Sequence, residues 1–128
     1  MNLSIQNILF VFIGGGAGSL LRFLFSWVIK SQTSITLPLA TFGANIAAAL
    51  IYGLVFLNLQ QKESSDAFRL LILVGFCGGL STFSSFSYET FELFRKGENL
   101  WALLNIIFNN LICIGVIFLL VKKQSAIN

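Results

Sequence analysis

The chain has 128 residues, of which 56% are hydrophobic and only 10% are charged. Soluble domains usually carry about 25% charged residues, so the composition excludes a soluble enzyme and a nucleic-acid-binding domain. Histidine is absent from the sequence, which excludes histidine-ligated haem and histidine acid–base chemistry. The sequence also contains no Walker-type phosphate loop, so this chain is not expected to pump with ATP.

The charged residues leave four long stretches that carry no charge. These stretches are residues 2–21, 31–61, 70–88 and 99–121. Each is near or above the roughly 18–20 residues that a helix needs to cross the hydrocarbon core of a bilayer. We predict four helices, at about 4–29, 36–59, 69–94 and 99–121. The predicted fold is therefore all-α, a single integral membrane domain over residues 1–128 with little chain outside the bilayer.

The basic residues at the helix ends are almost evenly divided between the two sides of the membrane. The side that holds both termini carries Lys62, Arg69, Lys122 and Lys123, and the opposite side carries Lys30, Arg95 and Lys96. Orientation normally follows an excess of Lys and Arg on the cytoplasmic side. A count of four against three permits insertion in both orientations, so we predict a dual topology, with which an antiparallel homodimer becomes possible.

The third apolar stretch has a polar middle. Gly78 and Gly79 are followed by five hydroxyl residues, and Glu89 lies near the end of the stretch. Paired glycines weaken a helix, and non-helical backbone survives in a membrane only where protein or a cavity satisfies it. We predict a break in this helix, whose free carbonyls suit a cation and whose half-helix N-terminus suits an anion. A bent helix with back-bonded Ser and Thr side chains is the alternative.

Two phenylalanines follow the predicted break. Phe83 and Phe86 are three residues apart and fall on one helical face, with Ser84 beside them. The edge of an aromatic ring carries partial positive charge and can approach a small anion favourably. Packing against neighbouring helices or lipid is the commoner role of such a pair, and both interpretations stay open.

The other apolar stretches also contain polar side chains. They are Arg22 in the first, Asn45 in the second, and Asn105, Asn109 and Asn110 in the fourth. Polar groups are costly in hydrocarbon and are expected to face the bundle interior or water. Asn105, Asn109 and Cys113 are spaced four residues apart, which predicts a stripe that serves either as a polar track or as hydrogen bonding between helices. We interpret Cys77 and Cys113 as packing thiols.

Three motifs, in order along the whole chain, resemble signatures of the Fluc/CrcB fluoride channel family. They are Gly14-Gly15-x-x-Gly18-x-x-x-Arg22, Pro38-x-x-Thr41-x-x-x-Asn45, and Gly75-Phe76-x-Gly78-Gly79-x-Ser81-Thr82-Phe83-Ser84-x-Phe86-Ser87-x-Glu89. The third motif is the specific one. The resemblance implies a passive fluoride-selective channel, not an enzyme, that exports fluoride across the cell membrane of a microbe. It implies antiparallel dimers with two pores, formed by two copies or with a homologous second subunit.

The resemblance also implies roles for individual residues. Phe83 and Phe86 would be the ring-edge ligands of fluoride, Asn45 would supply amide donors, and Ser84 would belong to the hydroxyl lining. The rest of the implied pathway is Arg22 near a vestibule, Thr41 and Glu89 near its polar end, and Asn105 and Asn109 in the fourth helix. A structural sodium ion at the dimer centre would be held by the backbone carbonyls of Gly78 and Ser81 from both subunits.

The chain departs from the family pattern at several positions. Serine stands at 81 and 85 where threonine is usual, alanine replaces glycine at 40 and 48, and Asn105 and Asn109 stand where tyrosine and serine are common. A carbonyl ligand is unaffected by the change at Ser81. The fourth helix therefore departs most from the family pattern at its implied lining positions.

Two other functions compete with a fluoride channel. A small multidrug-type cation/proton antiporter also has about four spans, but it needs a carboxylate in the membrane, and no acidic residue precedes Glu63. A noncatalytic membrane assembly subunit would conduct nothing by itself. Protection of cells against fluoride or against quaternary ammonium dyes separates the first two functions.

Overall fold

The structure, a computed structural model, describes residues 3–32, 38–61 and 66–125. Within these ranges four helices are long and apolar enough to cross a membrane. They are Ile5–Gln32, Leu39–Leu59, Asp66–Arg95 and Asn99–Lys122, which we call the first to fourth spans. The predicted all-α fold with four spans is confirmed. The predicted start of the second helix at residue 36 lies outside the described residues.

The third span differs from the others because it is built from several pieces. Helices α1 (Ile5–Gln32), α2 (Leu39–Gln61) and α6 (Asn99–Ser125) are each continuous. The third span consists of α3 (Asp66–Arg69), a π-helical segment (Leu70–Phe76), α4 (Cys77–Leu80) and α5 (Phe83–Arg95). Gly97 then turns the chain into α6 with a φ of 77°, a conformation that glycine adopts without a steric penalty.

The predicted break in the third span is confirmed, but it does not lie at the glycine pair. Ser81 and Thr82 are extended, with ψ angles of 153° and 120°, whereas Gly78 and Gly79 remain within α4. Gly79 packs on the backbone of α1, so its small size serves close approach rather than unwinding. The chain leaves the helix two residues later, where side chains take over the hydrogen bonds of the backbone.

Helix α1 packs against the first half of the third span through glycine. A methyl group built on Gly14 would lie 2.0 Å from the carbonyl oxygen of Leu71, and one on Gly18 would lie 2.1 Å from that of Phe76. Gly79 meets the Gly15 carbonyl in the same way, at 2.3 Å. Backbone therefore packs on backbone, the close packing that small residues allow in membrane helices.

Helix α2 contacts all three other spans and lies at the centre of the subunit. Its Ala44 and Ala48 pack with Leu80 of α4 in a buried cluster. On another face, Gly53 accommodates the side chain of Leu120 from α6. Helix α6 also packs on α5, so α2, α5 and α6 surround the side of the break that faces away from α1.

Candidate functional site

A groove of about 390 Å³ lies where α2, the break and α6 meet. Its polar lining is formed by Asn45, Gly78, Ser81, Thr82, Asn109 and Asn110. We call it the polar groove. It brings together residues from the second, third and fourth spans that the sequence analysis had singled out separately. Phe83, Phe86 and both cysteines also line it.

Asn45 of α2 is joined to the backbone of the break. Its Oδ1 accepts a hydrogen bond from the Thr82 N–H at 2.8 Å, and its Nδ2 donates to the Thr82 carbonyl at 3.4 Å. The same Nδ2 donates to Oδ1 of Asn109 at 3.2 Å. Asn45 thus holds the extended peptide at Thr82 and connects it to α6.

The side chain of Thr82 caps the helix that follows. Its Oγ1 accepts from the Ser85 N–H at 3.2 Å, which satisfies one of the free amides at the start of α5. The hydroxyls of Ser84 and Ser85 lie 3.2 and 3.1 Å from the same oxygen. Ser84 is exposed in the single subunit and therefore offers its hydroxyl at the N-terminus of α5.

Arg22 of α1 lies on the opposite side of the break. Its Nε donates to the carbonyl of Gly79 at 3.1 Å, and the hydroxyl of Ser19 lies 3.5 Å from the same oxygen. A charged donor on a buried carbonyl gives a stronger hydrogen bond than a neutral one. Arg22 therefore closes the free end of α4 and does not line the polar groove.

The two phenylalanines at the start of α5 have very different exposure. The ring of Phe83 is 77% exposed, whereas that of Phe86 is 8% exposed. Their centroids lie 5.6 Å apart and their planes are tilted by 44°. Phe86 is thus fixed by packing, and Phe83 extends from the open side of the groove.

Asn109 has the least satisfied polar group in the groove. The residue is 6% exposed, and its Oδ1 accepts from Asn45 and lies 3.8 Å from Sγ of Cys113. Its Nδ2 is buried and has no hydrogen-bond partner among the described residues. An unpaired buried donor costs free energy, and this cost is uncompensated among the described residues.

Asn105 does not share the groove with Asn109. Its Nδ2 donates to the hydroxyl of Thr90 at 2.9 Å, and that hydroxyl donates to the Phe86 carbonyl at 2.8 Å. Asn105 and Thr90 are both buried. The predicted stripe is therefore divided: Asn109 and Cys113 face the polar groove, and Asn105 supports α5. Sequence analysis missed Thr90, whose only signal was its position four residues after Phe86.

Thr41 and Glu89 form a second polar cluster outside the polar groove. The buried hydroxyl of Thr41 hydrogen-bonds with the Glu89 carboxylate. The positive charge of Lys30 at the end of α1 also attracts this carboxylate. The Oε2 atom of Glu89 is buried and has no partner among the described residues. The cluster lies near the start of α2. Lys30 is close to the end of α1 and Thr41 is close to the start of α2, so the two residues are expected on the same side of the membrane.

The carbonyls at the break suit a hard cation. Gly78 and Ser81 both line the polar groove, and the α-carbon of Gly78 has open space where a methyl group would stand. The Thr82 N–H, which would bond the Gly78 carbonyl in a continuous helix, is held by Asn45 instead. Within the described ranges no cluster of three acidic, histidine or cysteine residues could hold a metal. Carbonyl oxygen is a ligand type that hard cations accept, so the residues fit a sodium ion.

Comparison with known proteins places the chain in a family. The CrcB-like protein family, also described as camphor resistance, matches residues 9–121. A fluoride-specific ion channel, FluC, of Pyrococcus furiosus is 44% identical over 121 residues, which are 91% of this chain and 94% of the relative. The proteins of the same name from Methanococcus aeolicus and Escherichia coli O139:H28 are 39% and 43% identical, over 88% and 82% of this chain and 90% and 83% of the relatives. The chain belongs to the CrcB-like protein family.

Proposed function

We propose that this protein is a passive fluoride-selective channel of the cell membrane, which exports fluoride and lowers its cytoplasmic concentration. The relatives named as fluoride-specific ion channels support the choice of ion. An ion channel makes and breaks no covalent bond, so the protein is not an enzyme. The observation that carries the proposal is the buried, unpaired amide of Asn109 in a groove that also holds two phenylalanines.

Fluoride is small and strongly hydrated, so a path across hydrocarbon must replace its water with other donors. The polar groove is lined by Asn109, Phe83 and Phe86. The exposed hydroxyl of Ser84 lies beside it, 3.2 Å from Oγ1 of Thr82. Several weak contacts in a row suit conduction, because an ion that is bound too tightly at one point would not leave. Thr41 and Glu89 would form the polar end of the same route, and Arg22 would add positive potential beside it.

The proposed channel is an antiparallel homodimer. The polar groove is open on one side in the single subunit, and the ring of Phe83 is largely exposed there. A second copy, inserted in the opposite orientation, would close the groove and exclude lipid from it. The balanced charges at the helix ends permit such an insertion, and a homologous second subunit could take the same place.

A sodium ion at the centre of the dimer would have a structural role. The carbonyls of Gly78 and Ser81 from each copy would be its ligands. When bound, the ion would join the two subunits and raise the local potential for anions. The chain itself provides the break, and Asn45 and Arg22 maintain it through their hydrogen bonds.

The direct test is fluoride efflux from liposomes that contain the purified protein, measured with a fluoride electrode. The variants Phe83→Ile and Asn45→Asp should reduce efflux at least about tenfold while the dimer remains assembled, since each removes a contact at the groove. Phe12→Ile is the matched control, because Phe12 is exposed on α1 away from the groove. Normal efflux from both groove variants would contradict the pathway.

A cation/proton antiporter is less compatible with the structure. Neither α1 nor α2 contains an acidic residue, and Glu89 lies outside the polar groove, bonded to Thr41. Expression in a fluoride-sensitive strain should protect cells against fluoride and leave their sensitivity to quaternary ammonium dyes unchanged. The opposite result would favour the antiporter.

A further inference from the structure

We propose that Asn45 is a positioning residue that creates the break in the third span. The family resemblance implied that this amide donates to fluoride. The hydrogen bonds of Asn45 support a different role, because both of its polar atoms are engaged with protein.

The hydrogen-bond ladder of the helix shows where Asn45 intervenes. The last regular bond joins the Ser81 N–H to the Cys77 carbonyl at 2.9 Å. The next would join the Thr82 N–H to the Gly78 carbonyl. Instead the Thr82 N–H donates to Oδ1 of Asn45 at 2.8 Å. A side-chain amide has the same donor and acceptor geometry as a peptide group, so it can replace the backbone here at little cost.

Asn45 can compete with the ladder because α2 is fixed next to α4. Its neighbours in the same helix, Ala44 and Ala48, are buried against Leu80, the last residue of α4. The amide is therefore held at the helix end and loses little conformational entropy when it bonds Thr82. All of these contacts lie within one chain, so they require no contact from a second subunit.

Two consequences follow for the groove. The Gly78 carbonyl loses its helical donor and becomes available to another ligand. The Nδ2 of Asn45 is committed to the Thr82 carbonyl and to Asn109. The unpaired amide donor of the groove is then that of Asn109, and loss of activity in Asn45→Ala would reflect a lost break.

Amide NMR and hydrogen exchange on the intact protein in detergent micelles test this inference. In Asn45→Ala we expect the Thr82 amide signal to move, and the Gly78 carbonyl signal to shift as it regains a backbone donor. If the N–H is left without a partner instead, it should exchange about tenfold faster while the Gly78 signal stays in place. The break would then exist without Asn45, and the inference would be wrong. The matched control is Asn58→Ala, since the amide of Asn58 bonds only the Leu54 carbonyl of its own helix. Both signals should stay in place in that control.

A second variant covers the case in which Asn45→Ala does not fold. Asn45→Asp keeps the acceptor for the Thr82 N–H but loses the donor to the Thr82 carbonyl. It should keep the amide protected and the Gly78 signal in place, although efflux falls. Unchanged Thr82 and Gly78 signals in Asn45→Ala, or an Asn45→Asp protein whose Gly78 signal moves as in a continuous helix, would overturn the inference. These measurements involve no fluoride, so they stand or fall independently of the proposed function.

Discussion

The third span has two faces that use the same residue type in opposite ways. Towards α1, Gly79 lies so close to the backbone that a methyl group would stand 2.3 Å from the Gly15 carbonyl. Towards the polar groove, the neighbouring Gly78 has nothing within 4 Å of the same position. One glycine serves close packing, and the other leaves space around a carbonyl.

This difference divides the subunit into a rigid half and an adaptable half. The α1 face is a contact of backbone on backbone, which cannot adjust to added volume. The groove face is held by side-chain hydrogen bonds from Asn45 and Thr82. Changes on the first face should therefore affect folding, and changes on the second should affect transport.

The largest effect is expected on the α1 face. Gly18→Ala would place a methyl group 2.1 Å from the Phe76 carbonyl, and we expect it to destabilise the protein by about 3 kcal/mol or more, the upper range of overpacking. Thermal unfolding followed by size-exclusion chromatography in detergent measures the loss. Gly16→Ala is the matched control, since Gly16 has no neighbour within 4 Å. Equal stability of the two variants would contradict the rigid interface.

The next effect concerns the support of α5. Thr90→Val removes the hydroxyl that accepts from Asn105 and leaves that buried amide unpaired, which should cost about 2 kcal/mol of stability. Thr90→Ser keeps the hydroxyl and should recover most of the loss. Thermal unfolding of the two variants side by side checks this. A valine variant as stable as the wild type would show that the Asn105–Thr90 contact contributes nothing.

A third test concerns transport rather than folding. Asn109→Ala removes the unpaired donor of the groove and should lower fluoride efflux about tenfold, the value of one hydrogen bond of roughly 1.4 kcal/mol to a charged partner. The control is Asn58→Ala, because that exposed amide lies outside the groove lining and already bonds the Leu54 carbonyl. We expect both variants to fold and assemble normally. Equal efflux from the two would remove Asn109 from the pathway.

The smallest effect is expected where a glycine faces a flexible side chain. A methyl group on Gly53 would lie 2.6 Å from Cδ1 of Leu120, which can change rotamer, so Gly53→Ala should cost about 1 kcal/mol. Gly115→Ala, with open space around it, should cost less still. The unfolding temperatures of these variants measure the smallest expected losses of stability, and that of Gly18→Ala measures the largest.

The number and position of the spans could be predicted from sequence because they follow from the spacing of charges alone. The break was also predictable, since Gly78, Gly79 and the hydroxyls after them are poor residues for a helix interior. Its exact position was not, because it depends on Asn45 of another helix. The roles of Asn105 and Arg22 were missed for the same reason: each bonds a distant segment. The π-helical segment Leu70–Phe76 has no local signal and coincides with the close approach of Gly14.

Because of the extended peptides at Ser81 and Thr82, the side chains of α5 do not continue the helical phase of α4. Gly79 and Thr90 are 11 residues apart, which in an uninterrupted helix is about three turns, so they would project in nearly the same direction. In the structure Gly79 meets α1 and Thr90 meets α6. A helical wheel drawn through this span would thus merge two surfaces that serve different neighbours. Inserting or deleting one residue before the break should rotate the part of the third span that precedes it, without rotating α5.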